Sequence, residues 1–190
     1  QTLKLFDDQI SGQSLTGVGT IELHGRTTSG GLEELASGAS VDIRGITANI
    51  DLTNLDLTVN SQGILADGNG VLLSTGTNGA LVLQGGQTVS LTQTELFGSN
   101  QLAVTGTGVI DIRGDISSSL DLTYLASVPG VTLSFYDPGE AGTYGRVDVS
   151  GTAQNPVTLT LAASQASNQM ITGSNSTIYV PYRAGASYAG

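Results

Sequence analysis

Aliphatic residues recur at every second position along nearly the whole chain, and this period constrains the fold more than any other feature. Leu3 and Leu5, Ile21 and Leu23, Val41 and Ile43, Leu81 and Leu83, and Val89 and Leu91 are clear cases. Val131 with Leu133 and Phe135, and Val157 with Leu159 and Leu161, continue the pattern. Side chains of a strand point alternately to opposite faces, so each run predicts a strand with one buried face. Glycine-rich punctuators such as "SGG", "DGNG", "TGTNG", "QGG" and "VPG" separate the runs. Only "GGLEELAS" (30–37) and "AASQASNQM" (162–170) read as a helical turn or two. The prediction is an all-β protein.

Changes of parity sharpen this. In "ITANIDLTNLDLTVN" the apolar residues fall on Ile46, Ile50 and Leu52 and then on Leu55, Leu57 and Val59. A strand cannot switch faces without a bulge or corner, so the chain must bend at Thr53 and Asn54. It must bend again at Gly45, between Ile43 and Ile46, where glycine can supply a positive φ. Short strands broken by such corners predict a β-solenoid-like stack with glycine at the corners. A β-sandwich or jelly roll with Greek-key connections is the alternative.

A phrase repeats: "IELHG" (21–25), "VDIRG" (41–45), "IDIRG" (110–114) and "VDVSG" (147–151), in the form aliphatic, acid, aliphatic, variable residue, glycine. The surroundings repeat as well, with "LTGVGTIELHG" from Leu15 answering "VTGTGVIDIRG" from Val104. Residues 1–190 therefore read as one all-β domain, with a repeat-like region over 15–151 and a less repetitive part over 152–190 that ends in a Tyr-containing tail. Gly25 to Gly45 gives a plausible coil length, but later copies depart from that interval.

Composition narrows the partners. The chain has 190 residues, 27 Gly and a formal net charge of −10. Such a charge repels nucleic-acid backbones and anionic membranes, so neither is an expected partner. Absence of Cys removes disulfides and thiolate chemistry. No aliphatic run approaches the roughly 20 residues that span a bilayer. The opening from Gln1 carries no basic and apolar leader, as expected of a secreted product whose signal segment has been removed, or of a chain trimmed at its start. Few Lys and many Ser, Thr and Gly point the same way, to an extracellular location or a cell or virion surface.

The repeated phrase explains itself structurally: the aliphatics point inward, Asp42 and Arg44, or Asp111 and Arg113, form a small-value surface ion pair, and glycine turns the corner. A competing reading stacks Glu22, Asp42, Asp111 and Asp148 about 4.8 Å apart, where Ca²⁺ would relieve their repulsion. Asp67 in "LADGNGVLL" resembles part of a calcium loop but lacks later acidic ligands, so a turn is expected there and no cofactor is assigned. His24 fills the slot held by Arg44 and Arg113 and reads as solvent-facing. No recognised catalytic motif is present, and the chain is not expected to be an enzyme.

The ends carry the rest. "TLKLF" alternates and can add to an open sheet edge, placing Leu3, Leu5 and Phe6 at a subunit contact. Tyr179, Tyr182 and Tyr188 crowd the other end and are expected at a subunit contact as well. Tyr136 and Tyr144, in "FYDPGEAGTYG", are candidates for sugar contact. The texture resembles that of secreted β-rich surface proteins such as adhesin stalks, fibre subunits and virion appendages. The expected function is a structural subunit of a filament, fibre or coat built from copies of itself. A carbohydrate-binding adhesive module and a polysaccharide-active β-helix enzyme are the alternatives.

Overall fold

The computed structural model describes residues 1–29, 31–36, 40–76, 80–96, 101–136, 145–167 and 169–181. The chain begins with β1 (Thr2–Phe6), α1 (Asp7–Ile10), β2 (Thr20–His24), β3 (Thr27–Ser29), β4 (Leu32–Glu34), β5 (Ser40–Asp42) and β6 (Asn49–Asp51). It continues through β7 (Leu57–Val59), β8 (Leu65–Asp67), β9 (Leu72–Ser74), β10 (Leu81–Leu91), α2 (Gln93–Leu96), β11 (Val104–Arg113) and β12 (Leu120–Asp121). The last elements are β13 (Val131–Tyr136), β14 (Gly145–Asp148), β15 (Val157–Thr160), α3 (Ala163–Ala166), β16 (Gln169–Thr172) and β17 (Ser176–Tyr179). The protein is all-β, and its described α-helices are single turns.

The largest sheet has the order β1-β2-β6-β10-β11-β13, and all its pairings are parallel. Parallel pairing forbids tight hairpins between neighbours, so the chain leaves the sheet after each strand and comes back to it. Each return keeps the phase. Leu3, Ile21, Ile50, Val89, Ile110 and Leu133 lie in one file across the sheet. Parallel sheets β12-β15-β17 and β14-β16 lie further along the chain, and β5 pairs in parallel with β9. The excursions differ in length, because the hairpin β3–β4 and the antiparallel run β7-β8-β9 are inserted between returns. This corrects the constant coil length suggested by Gly25 and Gly45: Glu22 is in register with Asp51, not Asp42.

One cluster of buried apolar side chains runs from Ile10 to Leu161. It takes in the inward residues of successive strands, such as Leu23, Leu91, Ile112 and Phe135, all essentially inaccessible to water. Each such side chain contributes about 1.5–3 kcal/mol by leaving water, an upper figure because unfolded chains already bury some surface.

Both predicted parity switches are turns. The N–H of Leu55 donates to the Leu52 carbonyl around Thr53–Asn54, and that of Ile46 donates to the Ile43 carbonyl around Arg44–Gly45. Gly45 is needed for a different reason from the expected one. Its φ is not in the left-handed region, but a Cβ there would lie 2.3 Å from the Gln13 carbonyl oxygen of the neighbouring segment. Gly114, which ends the "IDIRG" copy, does have a positive φ of 79° with open space around it. One letter thus serves close approach in one copy and backbone conformation in the other.

The helical expectations need correction too. "GGLEELAS" contains strand β4, whose Glu33 bridges in parallel to Leu55, so sheet pairing overrides local helix propensity there. "AASQASNQM" does contain α3. The turns α1 and α2 carry no apolar period, because four residues are too few to show one.

Candidate functional site

The outward residues of the six-stranded sheet form a second file, Lys4, Glu22, Asp51, Ser90, Asp111 and Ser134. It brings three carboxylates from three strands into one row. Glu22 Oε1 accepts from Lys4 Nζ at 2.9 Å and from Asn54 Nδ2 at 3.0 Å. Asp51 Oδ1 accepts from both the N–H and the hydroxyl of Thr53, while its Oδ2 accepts from Arg113 Nη1 at 2.7 Å. Arg113 Nε also donates to Asp111 Oδ2 at 3.1 Å, and Ser90 Oγ lies 3.3 Å from that oxygen. Arg113 therefore spans from β11 across β10 to β6. The hydrogen bond from Lys4 holds the Glu22 carboxyl below the usual carboxylate range, with His24 assisting and desolvation opposing.

His24 corrects its sequence reading. Its side chain is only 15% exposed, with Nε2 2.9 Å from Glu22 Oε1 and Nδ1 2.9 Å from Glu33 Oε2. Glu33 is brought there by the β3–β4 excursion, which no local signal announces. Carboxylates only accept, so both ring nitrogens can donate together only in the imidazolium form. His24 thus stands where Arg44 and Arg113 stand in the "VDIRG" and "IDIRG" copies, two residues after an acid, with a carboxylate against each ring nitrogen. It joins β2 to β4 and is not a free surface ring.

The four acids proposed as one calcium ladder do not stack together. Glu22 and Asp111 share the outward file, separated by Asp51 and Ser90. Asp42 is in register with Ser74 in another sheet and is bound by Arg44 at 2.6 and 2.9 Å. Asp148 is in register with Thr172 and accepts from Ser150. Equal phrases thus land in different sheets, because strand register and not the phrase sets their neighbours. Asp67 Oδ1 accepts the N–H groups of Asn69 and Val71, as a turn residue does. No group of three or more His, Cys, Asp or Glu suited to a metal occurs among the described residues.

Leu3, Leu5 and Phe6 lie on β1, the edge strand of the large sheet, and Tyr179 ends β17, the edge strand of its own. Tyr144, Tyr182 and Tyr188 lie outside the described residues, as does the side chain of Tyr136. Sequence reasoning missed several buried polar groups. Asp7 is fully buried and accepts the Ala36 N–H, and Gln87 Nε2 donates to the carbonyls of Ile46 and Ala48 in a neighbouring layer. Glu95 is fully buried in α2. Only the T-x-x-E spacing of Thr92 and Glu95, a capping-box signal, would have found that last one.

The carboxylates of the outward file are all engaged by cations, hydroxyls or amides, an arrangement that ties layers together. Compared with protein-family models, curated proteins and solved structures, the chain matches none. No helix among the described residues is long and apolar enough to cross a membrane.

Proposed function

We propose that this chain is a structural subunit of an extracellular or particle-surface assembly, a β-solenoid-like stack whose two end layers join copies into a fibre or coat. The reading rests on where the large apolar side chains are left in water. Among the described residues, the exposed ones are Leu3, Phe6 and Val18 near the start of the chain and Met170, Ile178, Tyr179 and Val180 in its last described strands, β16 and β17, and just beyond them. Among the described residues between these two groups, no large apolar side chain is exposed. The same ends carry unpaired strand edges, on β1 at the start and on β16 and β17 at the finish.

Such edges are templates for further pairing, and two different ends that fit each other make a contact that does not close. An open groove of about 290 Å³, lined by Leu3, Leu15, Val18 and Ile21 among others, offers the first end a place for a neighbour's side chains. A Tyr covered there would remove roughly 150–250 Å² from water. The stacked parallel returns favour the solenoid over a sandwich, since each layer already binds the next through the kind of edge that an added copy would use.

Light scattering tests this. The full-length chain is expected to form particles that grow with concentration, while Leu3→Lys and Tyr179→Lys remain monomeric with unchanged melting. A full-length chain that stays monomeric at all concentrations, or variants that assemble as well as it does, would overturn the reading.

A further inference from the structure

The three one-turn helices share a corner design. In α1 the N–H of Phe6 donates to Gln9 Oε1 at 2.9 Å, and in α3 the N–H of Ala162 donates to Gln165 Oε1 at 2.8 Å. In α2 the N–H of Thr92 donates to Glu95 Oε2. Each time the third helical residue folds back onto the residue before the helix. An amide suits this slot because it accepts through oxygen and can donate through nitrogen. Gln165 does both, its Nε2 reaching the Leu122 carbonyl at 2.8 Å. Only the α2 corner holds an acid in this slot.

Glu95 is inaccessible to water, and its Oε1 is buried with no hydrogen-bond partner. The charged groups facing it are Asp51, itself paired with Arg113, and Asp56; the neighbouring strand β7 presents buried Leu57 and Val59. No described Lys, Arg or His forms an ion pair with it. A carboxylate placed there would have one stranded oxygen in an apolar site beside two acids.

We propose that Glu95 holds a proton in the folded protein and that losing it loosens the α2 corner, which makes this corner an alkaline-sensitive latch in the stack. As a neutral acid, Glu95 takes on the uncharged character that Gln9 and Gln165 have in the other corners. Burial raises its carboxyl well above the usual carboxylate range; the Thr92 hydrogen bonds oppose this and the charges of Asp51 and Asp56 add to it. The folded state then keeps a proton that the unfolded chain releases above about pH 4.3. Stability from this group is greatest below that pH and is lost as pH rises towards the folded value.

The test compares denaturant unfolding of the wild type and Glu95→Gln from pH 5 to 9. The wild-type unfolding constant should rise relative to that of the variant by up to about tenfold per pH unit, the slope of one proton. The variant should be the more stable protein at pH 8. Parallel profiles would overturn the proposal. Infrared spectra of the folded wild type at pH 7 give a second reading that does not depend on the variant folding. A protonated-carboxyl band that disappears on raising pH is expected, and its absence would overturn the proposal by itself.

Discussion

"VDIRG" and "IDIRG" share four of five letters and differ in energetic weight. In the first copy, β5 is the edge strand of its sheet, and Asp42 and Arg44 are 28% and 60% exposed. In the second, β11 is enclosed between β10 and β13, Asp111 is 6% exposed, and Arg113 extends to a second acid, Asp51. A strand with two neighbours has its outward side chains walled by those of the flanking strands; an edge strand leaves them in water. "TLKLF" and "TIELH" show the same rule for the inward face. They pair residue for residue, yet Ile21 is 4% exposed and Leu3, with no layer beyond it, is 53% exposed.

The inward residues of the two copies should behave alike and give the largest effect. Ile43→Ala and Ile112→Ala replace side chains that are 4% and 1% exposed, and each should cost about 2–5 kcal/mol in denaturant unfolding. A much smaller loss at Ile43 would extend the contrast between the copies to their inward faces.

The arginines should separate the copies. Arg113→Ala leaves Asp111 and Asp51 partly buried and short of a donor, and should cost about 1–3 kcal/mol, towards the lower end because Arg113 is itself one-third exposed. Arg44→Ala should leave the melting temperature unchanged within error at 0.15 M salt, where exposed pairs are screened. Equal melting shifts from the two would show that enclosure does not set the worth of this phrase.

The smallest effect is a titration. Hydrogen bonds from the Arg44 side chain and backbone N–H hold the Asp42 carboxyl below the usual carboxylate range. A depressed folded value means that the contribution is present above the ordinary carboxylate range and lost as pH falls through the folded value. In an NMR titration, Arg44→Ala should move Asp42 upward towards that range. No movement would mean that the guanidinium does not hold the carboxylate in solution.

Strand identity, inward faces and the two corners at Gly45 and Thr53–Asn54 were legible in the sequence, because alternation and its breaks are local properties of the backbone. The acid-to-cation spacing of Asp42–Arg44 and Asp111–Arg113 was legible for the same reason: two residues along a strand bring side chains to one face. Register was not legible, and most of the candidate site depends on it. Nothing in "IELHG" shows that Glu33 folds back onto His24, or that Glu22 lies beside Asp51 rather than Asp42, since the inserted hairpin and antiparallel run set those neighbours.

What the sequence determined by itself is therefore the period, the corners and the all-β class, each fixed by sterics within a few residues. The tertiary structure alone decided which copy of a phrase is enclosed, which acid is buried with one oxygen unpartnered and which aliphatics remain in water. Those outcomes depend on whether another layer lies above and below a strand, and a parallel return to the sheet brings that layer from far along the chain.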